Sequence, residues 1–137
     1  MSDLFATMTI SSHGMRAQGE RIRVVAENVA NADTAPEKPG DEPYTRQVIT
    51  FKNTLDRELG HKVVEVDDVE KIKDNKFIKK YMPDHPAADV GGYVEMPNVN
   101  KLVEMMDMRE AQRSYEANLG MVETSRDMML RTIDVLR

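Results

Sequence analysis

Apolar positions recur at alternating steps of four and three along both ends of the chain. Near the N-terminus the row is Leu4, Met8, Ser11, Met15, Gln18, Ile22, Val25 and Val29. Near the C-terminus it is Met105, Met108, Gln112, Tyr115, Leu119, Val122, Arg126, Met129, Ile133 and Leu136. Such spacing holds one seam on one side of a helix, which is the pattern of coiled-coil packing. It predicts a first helix over residues 3–31 with Ser2 as its N-cap. A second helix is predicted after Pro97, with Asn98 or Asn100 as its N-cap, running to about Leu136. Gly14 and Gly19 each weaken the first helix by about 1 kcal/mol relative to Ala, so it needs a partner face. Beside the C-terminal seam lies a second row, Ala111, Ser114, Asn118, Met121, Ser125, Met128, Thr132 and Val135. Two adjacent rows suit a helix with more than one neighbour.

Between the helices the pattern changes. Residues 32–43 (ADTAPEKPGDEP) hold three Pro and read as a loop. Tyr44 to Phe51 alternates and is β-branched, so it reads as a strand. Lys52 to Gly60 reads as a polar segment with a helical turn ended by Gly60. Val63 to Val66 reads as a second strand, which Val69 to Ile72 either extends or follows as a new strand after a turn at Asp67-Asp68. Phe77 to Met82 and Tyr93 to Met96 are further short strands, separated by the Pro83-Asp84-His85-Pro86 break and a Gly91-Gly92 turn. The expected fold is mainly α, with a small β-rich middle domain and long terminal helices packing as a coiled-coil-like pair. The expected division is an N-terminal helix (1–34), a loop and middle domain (35–96) and a C-terminal helix (97–137), the two helices forming one structural unit.

Composition sharpens this picture. Aromatic residues make up only 5% of the 137 residues, Trp is absent, and Met occurs eleven times. Met is flexible and suits adaptable, shared surfaces. A small core with Met-rich helix faces implies that burial is completed by other chains. The net charge is −5 with the signs mixed, which argues against nucleic-acid binding. The small cluster Arg16, Arg21 and Arg23 lies beside Glu20 and Glu27 and reads as a solvated helix face. A sequence without Cys offers no disulfide, thiolate zinc site or thiol nucleophile. No apolar run is long enough to cross a membrane as a helix. Met1-Ser2-Asp3-Leu4 lacks the basic start and apolar run of a cleaved secretory signal.

Candidate chemistry is sparse. The three His residues (His13, His61 and His85) show no ligand spacing and no H-E-x-x-H. The acids Asp41, Glu42, Asp67, Asp68 and Glu70 sit in predicted loops and turns, without the facing pair that acid–base catalysis needs. Gly91-Gly92 lacks the rest of a phosphate loop. One group, Asp84, His85 and Asp89, merits comparison with a metal or catalytic site, and its turn context favours a purely polar role. No catalytic residue, metal ligand or cofactor is assigned, and the chain reads as a non-enzyme.

Two segments carry a family resemblance. Residues 11–34 (SSHGMRAQGERIRVVAENVANADT) and 91–136 (GGYVEMPNVN…RTIDVL), with YMPDHPAAD at 81–89, resemble the rod proteins of the bacterial flagellar basal body. The carrying residues are Ala30, Asn31, Asp33 and Thr34 at the end of the first helix, Tyr93, Pro97, Asn98 and Asn100 before the second, and Tyr115 and Asn118 within it. The chain departs from the family where Tyr44 is followed by Thr45 and a single Arg46 instead of a basic pair. It departs again at KIKDNKFIKK (71–80), which lacks an Asp-x-Ser/Thr-Pro turn. The resemblance implies a structural subunit of the proximal rod, the periplasmic drive shaft, exported by the flagellar type III apparatus without a cleaved signal. Implied partners are other rod subunits and copies of itself. The expected assembly interface comprises Leu4, Met8, Met15, Ile22, Val25, Val29, Met105, Met108, Tyr115, Leu119, Val122, Met129, Ile133 and Leu136. The residues alone also allow a soluble helical-hairpin binding module or an export adaptor.

Overall fold

Two helices occupy the ends of the chain, α1 over Ser2–Asn31 and α2 over Lys101–Val135. Between them lie β1 (Gln47–Asp56), β2 (His61–Lys71), β3 (Ile78–Tyr81) and β4 (Tyr93–Met96). The computed structural model describes residues 2–57, 60–72 and 76–135. The predicted Ser2 cap depends on a side chain outside the described set, and Leu136 lies outside it too.

The strands form two two-stranded sheets, β1–β2 and β3–β4. Across the first, Lys52 meets Asp67 at 3.1 Å and Thr54 Oγ1 donates to Glu65 at 3.0 Å. These contacts explain one correction to the sequence reading and decide one alternative it left open. Lys52 to Asp56 is strand, not a helical turn, because its polar side chains find cross-strand partners. Asp67-Asp68 is strand interior, so Val69 to Lys71 extends the second strand, one of the two readings the sequence left open, and Lys52 meets Asp67 across the sheet. The reversal falls instead near Gly60, whose positive φ of 68° and N–H to Asp56 O bond of 2.9 Å close the end of β1. The second sheet is antiparallel, with Ile78 opposite Met96 and Tyr81 opposite Tyr93. Helix α2 opens on Asn100, whose Oδ1 accepts from Leu102 N at 3.1 Å and Val103 N at 3.4 Å. Asn100 rather than Asn98 is therefore the cap.

The chain divides into two compact units, each using part of both helices. The first comprises Met1–Ile22, Ile49–Asp68 and Arg109–Arg137. Here the helices pack antiparallel: Gly14 faces Asn118, and Arg21 Nη2 lies 3.9 Å from Glu110. Its buried helix residues are small: Ala6, Ser11, Ala17, Ala111 and Ser125. Small side chains let backbones approach closely, and a Cβ built on Gly14 would lie 2.9 Å from the Asn118 side chain. The second unit comprises Arg23–Val48 and Val69–Met108. Its core includes Val24, Val25, Ala32, Ala87 and Val94 around the buried polar pair Asn28 and Glu104. The molecule is thus mainly helical, with paired terminal helices and small sheets drawn from the middle of the chain.

The glycines of α1 differ in a testable way. A Cβ on Gly19 would meet nothing within 4 Å, whereas one on Gly14 would press on Asn118. Gly19→Ala is expected to raise stability by about 1 kcal/mol through helix propensity. Gly14→Ala should gain less or lose, since Asn118 must leave its hydrogen bond to Ser114 O. Denaturant melts of the two variants check this, and equal gains would contradict the close approach at Gly14.

Candidate functional site

The chain's most organised polar cluster is a buried clasp in the second unit. Asn28 and Glu104 are each 1% exposed. Asn28 Nδ2 donates to Gln47 O at 2.8 Å and to Glu104 Oε2 at 3.0 Å. Its Oδ1 accepts from Tyr44 Oη at 2.9 Å and from Gln47 N at 2.9 Å. The amide therefore uses its full capacity of two donors and two acceptors. Arg46 Nε donates to Glu104 Oε1 at 2.6 Å. Three stretches of sequence thus meet at one point: α1 through Asn28, the entry into β1 through Tyr44, Arg46 and Gln47, and the first turn of α2 through Glu104. An anion in a helix's first turn also meets the free N–H groups there. Burial, then the charge of Glu27 and that of Glu104, raise the Tyr44 phenol above its ordinary value, against a lowering from its hydrogen bond to Gln47.

The clasp explains why β1 starts at Gln47 and not at Tyr44. Tyr44 and Arg46 turn their side chains to Asn28 and Glu104, and Arg46 O accepts from Ile72 N at 3.0 Å beyond the end of β2. Sequence reading did not find this centre. Its signal was faint but present: Glu104 lies seven residues before the buried Ala111, on the same helix face, and Asn28 lies three after the buried Val25.

Around the clasp stand the family-motif residues. Asn31 Nδ2 donates to Glu27 O at 2.9 Å, and Asp33 pairs with Lys101 at the start of α2. Pro97 is buried, Asn98 exposed, and Asn100 caps α2. Ala30 and Thr34 are exposed. Tyr93 stacks edge-on against Tyr81 with centroids 5.3 Å apart. Tyr115 is exposed, and Asn118 packs by Gly14.

Asp84, His85 and Asp89 serve the β3–β4 connection. Asp89 Oδ1 accepts from Gly91 N at 2.8 Å and Tyr93 N at 2.9 Å. His85 Nδ1 accepts from Ala87 N at 3.1 Å. Gly92 is held at φ 78° with its open side 3.0 Å from the Tyr81 ring, so a side chain there would strain the turn. Among the described residues no group of three or more His, Cys, Asp or Glu could hold a metal ion.

The interface residues expected from the apolar seam fall into two classes. On α1, Val25 is buried and Leu4, Met8, Met15, Ile22 and Val29 are half-buried. On α2, Met108, Val122 and Met129 are half-buried, while Met105, Tyr115, Leu119 and Ile133 are exposed. The buried row of α2 runs instead through Glu104, Ala111 and Ser125. The chain's own helix pairing thus buries mainly small residues and leaves Met105, Tyr115, Leu119 and Ile133 of the α2 seam exposed. Leu102, Met106, Met121, Met128 and Leu130 extend that exposed apolar surface.

Comparison with known proteins fits this geometry. Residues 90–135 match the family model described as flagellar basal body rod FlgEFG protein C-terminal. A flagellar basal-body rod protein FlgC from Agrobacterium fabrum is 44% identical over 137 residues, covering 100% of this chain and 98% of the relative. The FlgC of Aquifex aeolicus is 37% identical, covering 98% of each chain. That of Escherichia coli O6:H1 is 36% identical, covering 90% of this chain and 91% of the relative. The chain belongs to the flagellar basal-body rod protein family. Within that family its similarity is to the FlgC proteins, and its role is that of a structural rod subunit.

Removing the Glu104 carboxylate should be costly, because it leaves Asn28 Nδ2 and Arg46 without their partner. Glu104→Ala is expected to destabilise by about 2–3 kcal/mol, below the full value for a buried pair because Arg46 is partly in solvent. A double-mutant cycle with Asn28→Ala should show coupling of about 1 kcal/mol or more; additive losses would argue against the clasp. The raised Tyr44 phenol stabilises the fold in its protonated form. That contribution is full below pH 10 and fades as pH rises through the folded-state value. Tyr44→Phe should flatten the alkaline loss of stability relative to the unmodified chain, as read by melts across that range.

Proposed function

We propose that this chain is a subunit of the proximal part of the flagellar rod, assembling helically through its two terminal helices. The observation carrying this reading is the exposed apolar surface of α2, with Met105, Tyr115, Leu119 and Ile133 left outside the intrachain pairing. A helix whose own partner contacts small residues while its large ones face out is built for further neighbours. A contact that repeats by rotation and translation gives an open helical assembly. In this reading residues 1–34 and 97–137 are the assembly element and residues 35–96 the loop and small β-rich middle domain. Other rod subunits and copies of the chain are the neighbours. The type III export apparatus delivers it to the periplasm without signal cleavage. No described helix is long and apolar enough to cross a membrane. No catalytic, metal or cofactor role is assigned.

The expected interface is Leu4, Met8, Met15, Ile22, Val25 and Val29 on α1, with Met105, Met108, Tyr115, Leu119, Val122, Met129, Ile133 and Leu136 on α2. Leu119→Asp places a charge on this exposed surface and leaves the buried helix contacts intact. It is expected to reduce incorporation into basal bodies and swimming at least tenfold, while circular dichroism of the purified chain stays unchanged. Normal incorporation of Leu119→Asp and Ile133→Asp would remove this surface from the interface.

A further inference from the structure

Sulfur in this chain is confined to methionine: the sequence has eleven Met and no Cys. The described methionines divide by place. Met105 is 48% exposed, Met106 64%, Met121 49% and Met128 46%. All four lie on α2. Met8, Met15, Met82, Met96, Met108 and Met129 are half-buried. Met105 and Met106 stand in the first two turns of α2. Met121 and Met128, seven residues apart, share one face of its later half.

The exposed thioethers are part of the apolar surface that the intrachain pairing leaves open, along with Leu119, Leu130 and Ile133. A Leu or Ile side chain is inert to peroxide, whereas a thioether is not. Oxidation to the sulfoxide keeps the length of the side chain but makes it polar. On a packed Met the new S=O group must find a partner inside the fold or destabilise it. On an exposed Met, water solvates it. Oxidation of these four residues therefore leaves the chain folded and turns apolar positions of α2 polar.

We propose that Met105, Met106, Met121 and Met128 are peroxide-oxidation sites of the unassembled chain, and that their sulfoxides bar it from assembly until they are reduced. The gating rests on the structural-subunit reading; the site assignment rests on exposure alone. In the forward step the O–O bond of hydrogen peroxide breaks, one oxygen bonds to sulfur, and the other leaves as water with both protons. Sulfur loses two electrons and the peroxide gains them. In the reverse step a sulfoxide reductase draws two electrons and two protons from a dithiol, which closes to a disulfide, and the oxygen leaves as water. Neighbours that cover α2 shield its thioethers, so the modification falls on chains not yet assembled.

Peptide mass spectrometry of the purified full-length chain over a hydrogen peroxide time course tests the sites. The four exposed Met should gain oxygen several-fold faster than the six half-buried ones, with circular dichroism unchanged while they do. Even oxidation of all ten, or helix loss in step with oxidation of the four, overturns the assignment. The gating is tested by newly made chain entering basal bodies in peroxide-treated cells, scored for each chain relative to untreated cells. Entry of the unmodified chain should fall roughly tenfold, the scale of losing one buried Met side chain. A variant with all four Met changed to Leu, a volume-conserving swap, should keep its ratio. Equal falls in both chains overturn the gating and leave the rod reading intact. Absence of the unmodified chain from basal bodies of untreated cells would defeat the rod reading and the gating with it, while the site assignment stands on the mass spectra.

Discussion

The hydrogen-bonded pair of Asn28 and Glu104 is the constraint on which the second unit depends. Each is almost wholly buried, and each is satisfied by groups from distant parts of the chain. A buried carboxylate is tolerated only with such partners. Because Asn28 has no hydrogen-bonding capacity left, a slip of α1 against α2 or β1 would break several bonds together. The clasp thereby fixes the register in which α1, the start of β1 and the start of α2 meet. The buried Val24, Val25 and Val94 add apolar burial, which is non-directional and would not by itself select one register over the next.

In the first unit the helices meet through Ala, Ser and Gly. Small contact residues have a consequence for function: they leave Met, Leu, Ile and Tyr on the outside of α2. A chain that was complete alone would have turned those residues inward. The sparse aromatics and abundant Met of the composition agree with a core that is small by itself. In the proposed reading, neighbouring rod subunits cover this exposed surface.

Much of this was legible in the sequence. The four–three spacing located both helices, the loop at 32–43 and the strand at 93–96 appeared where expected, and the terminal motifs identified the family. The cap at Asn100 was one of two candidates. One error and one open choice in the middle have a common cause. Lys52 to Asp56 and Asp67-Asp68 look polar enough for turns, and only the cross-strand pairing of Lys52 with Asp67 makes them strand. The clasp escaped notice because a lone Asn and a lone Glu on helices usually face solvent, and their partners lie 19 and 58 residues away in sequence. Helix periodicity found the seam of large residues and undervalued the adjacent row of small ones, which is the row the chain uses for its own pairing.

The most direct measurement is hydroxyl-radical footprinting of α2, comparing the free chain with the chain in purified basal bodies. Met105, Tyr115, Leu119 and Ile133 should label readily in the free chain and be strongly protected in the assembled rod, while exposed residues of the β3–β4 connection such as Val90 serve as an internal reference. Equal labelling of α2 in both states would mean that its apolar face stays in solvent, and would contradict assembly through that surface.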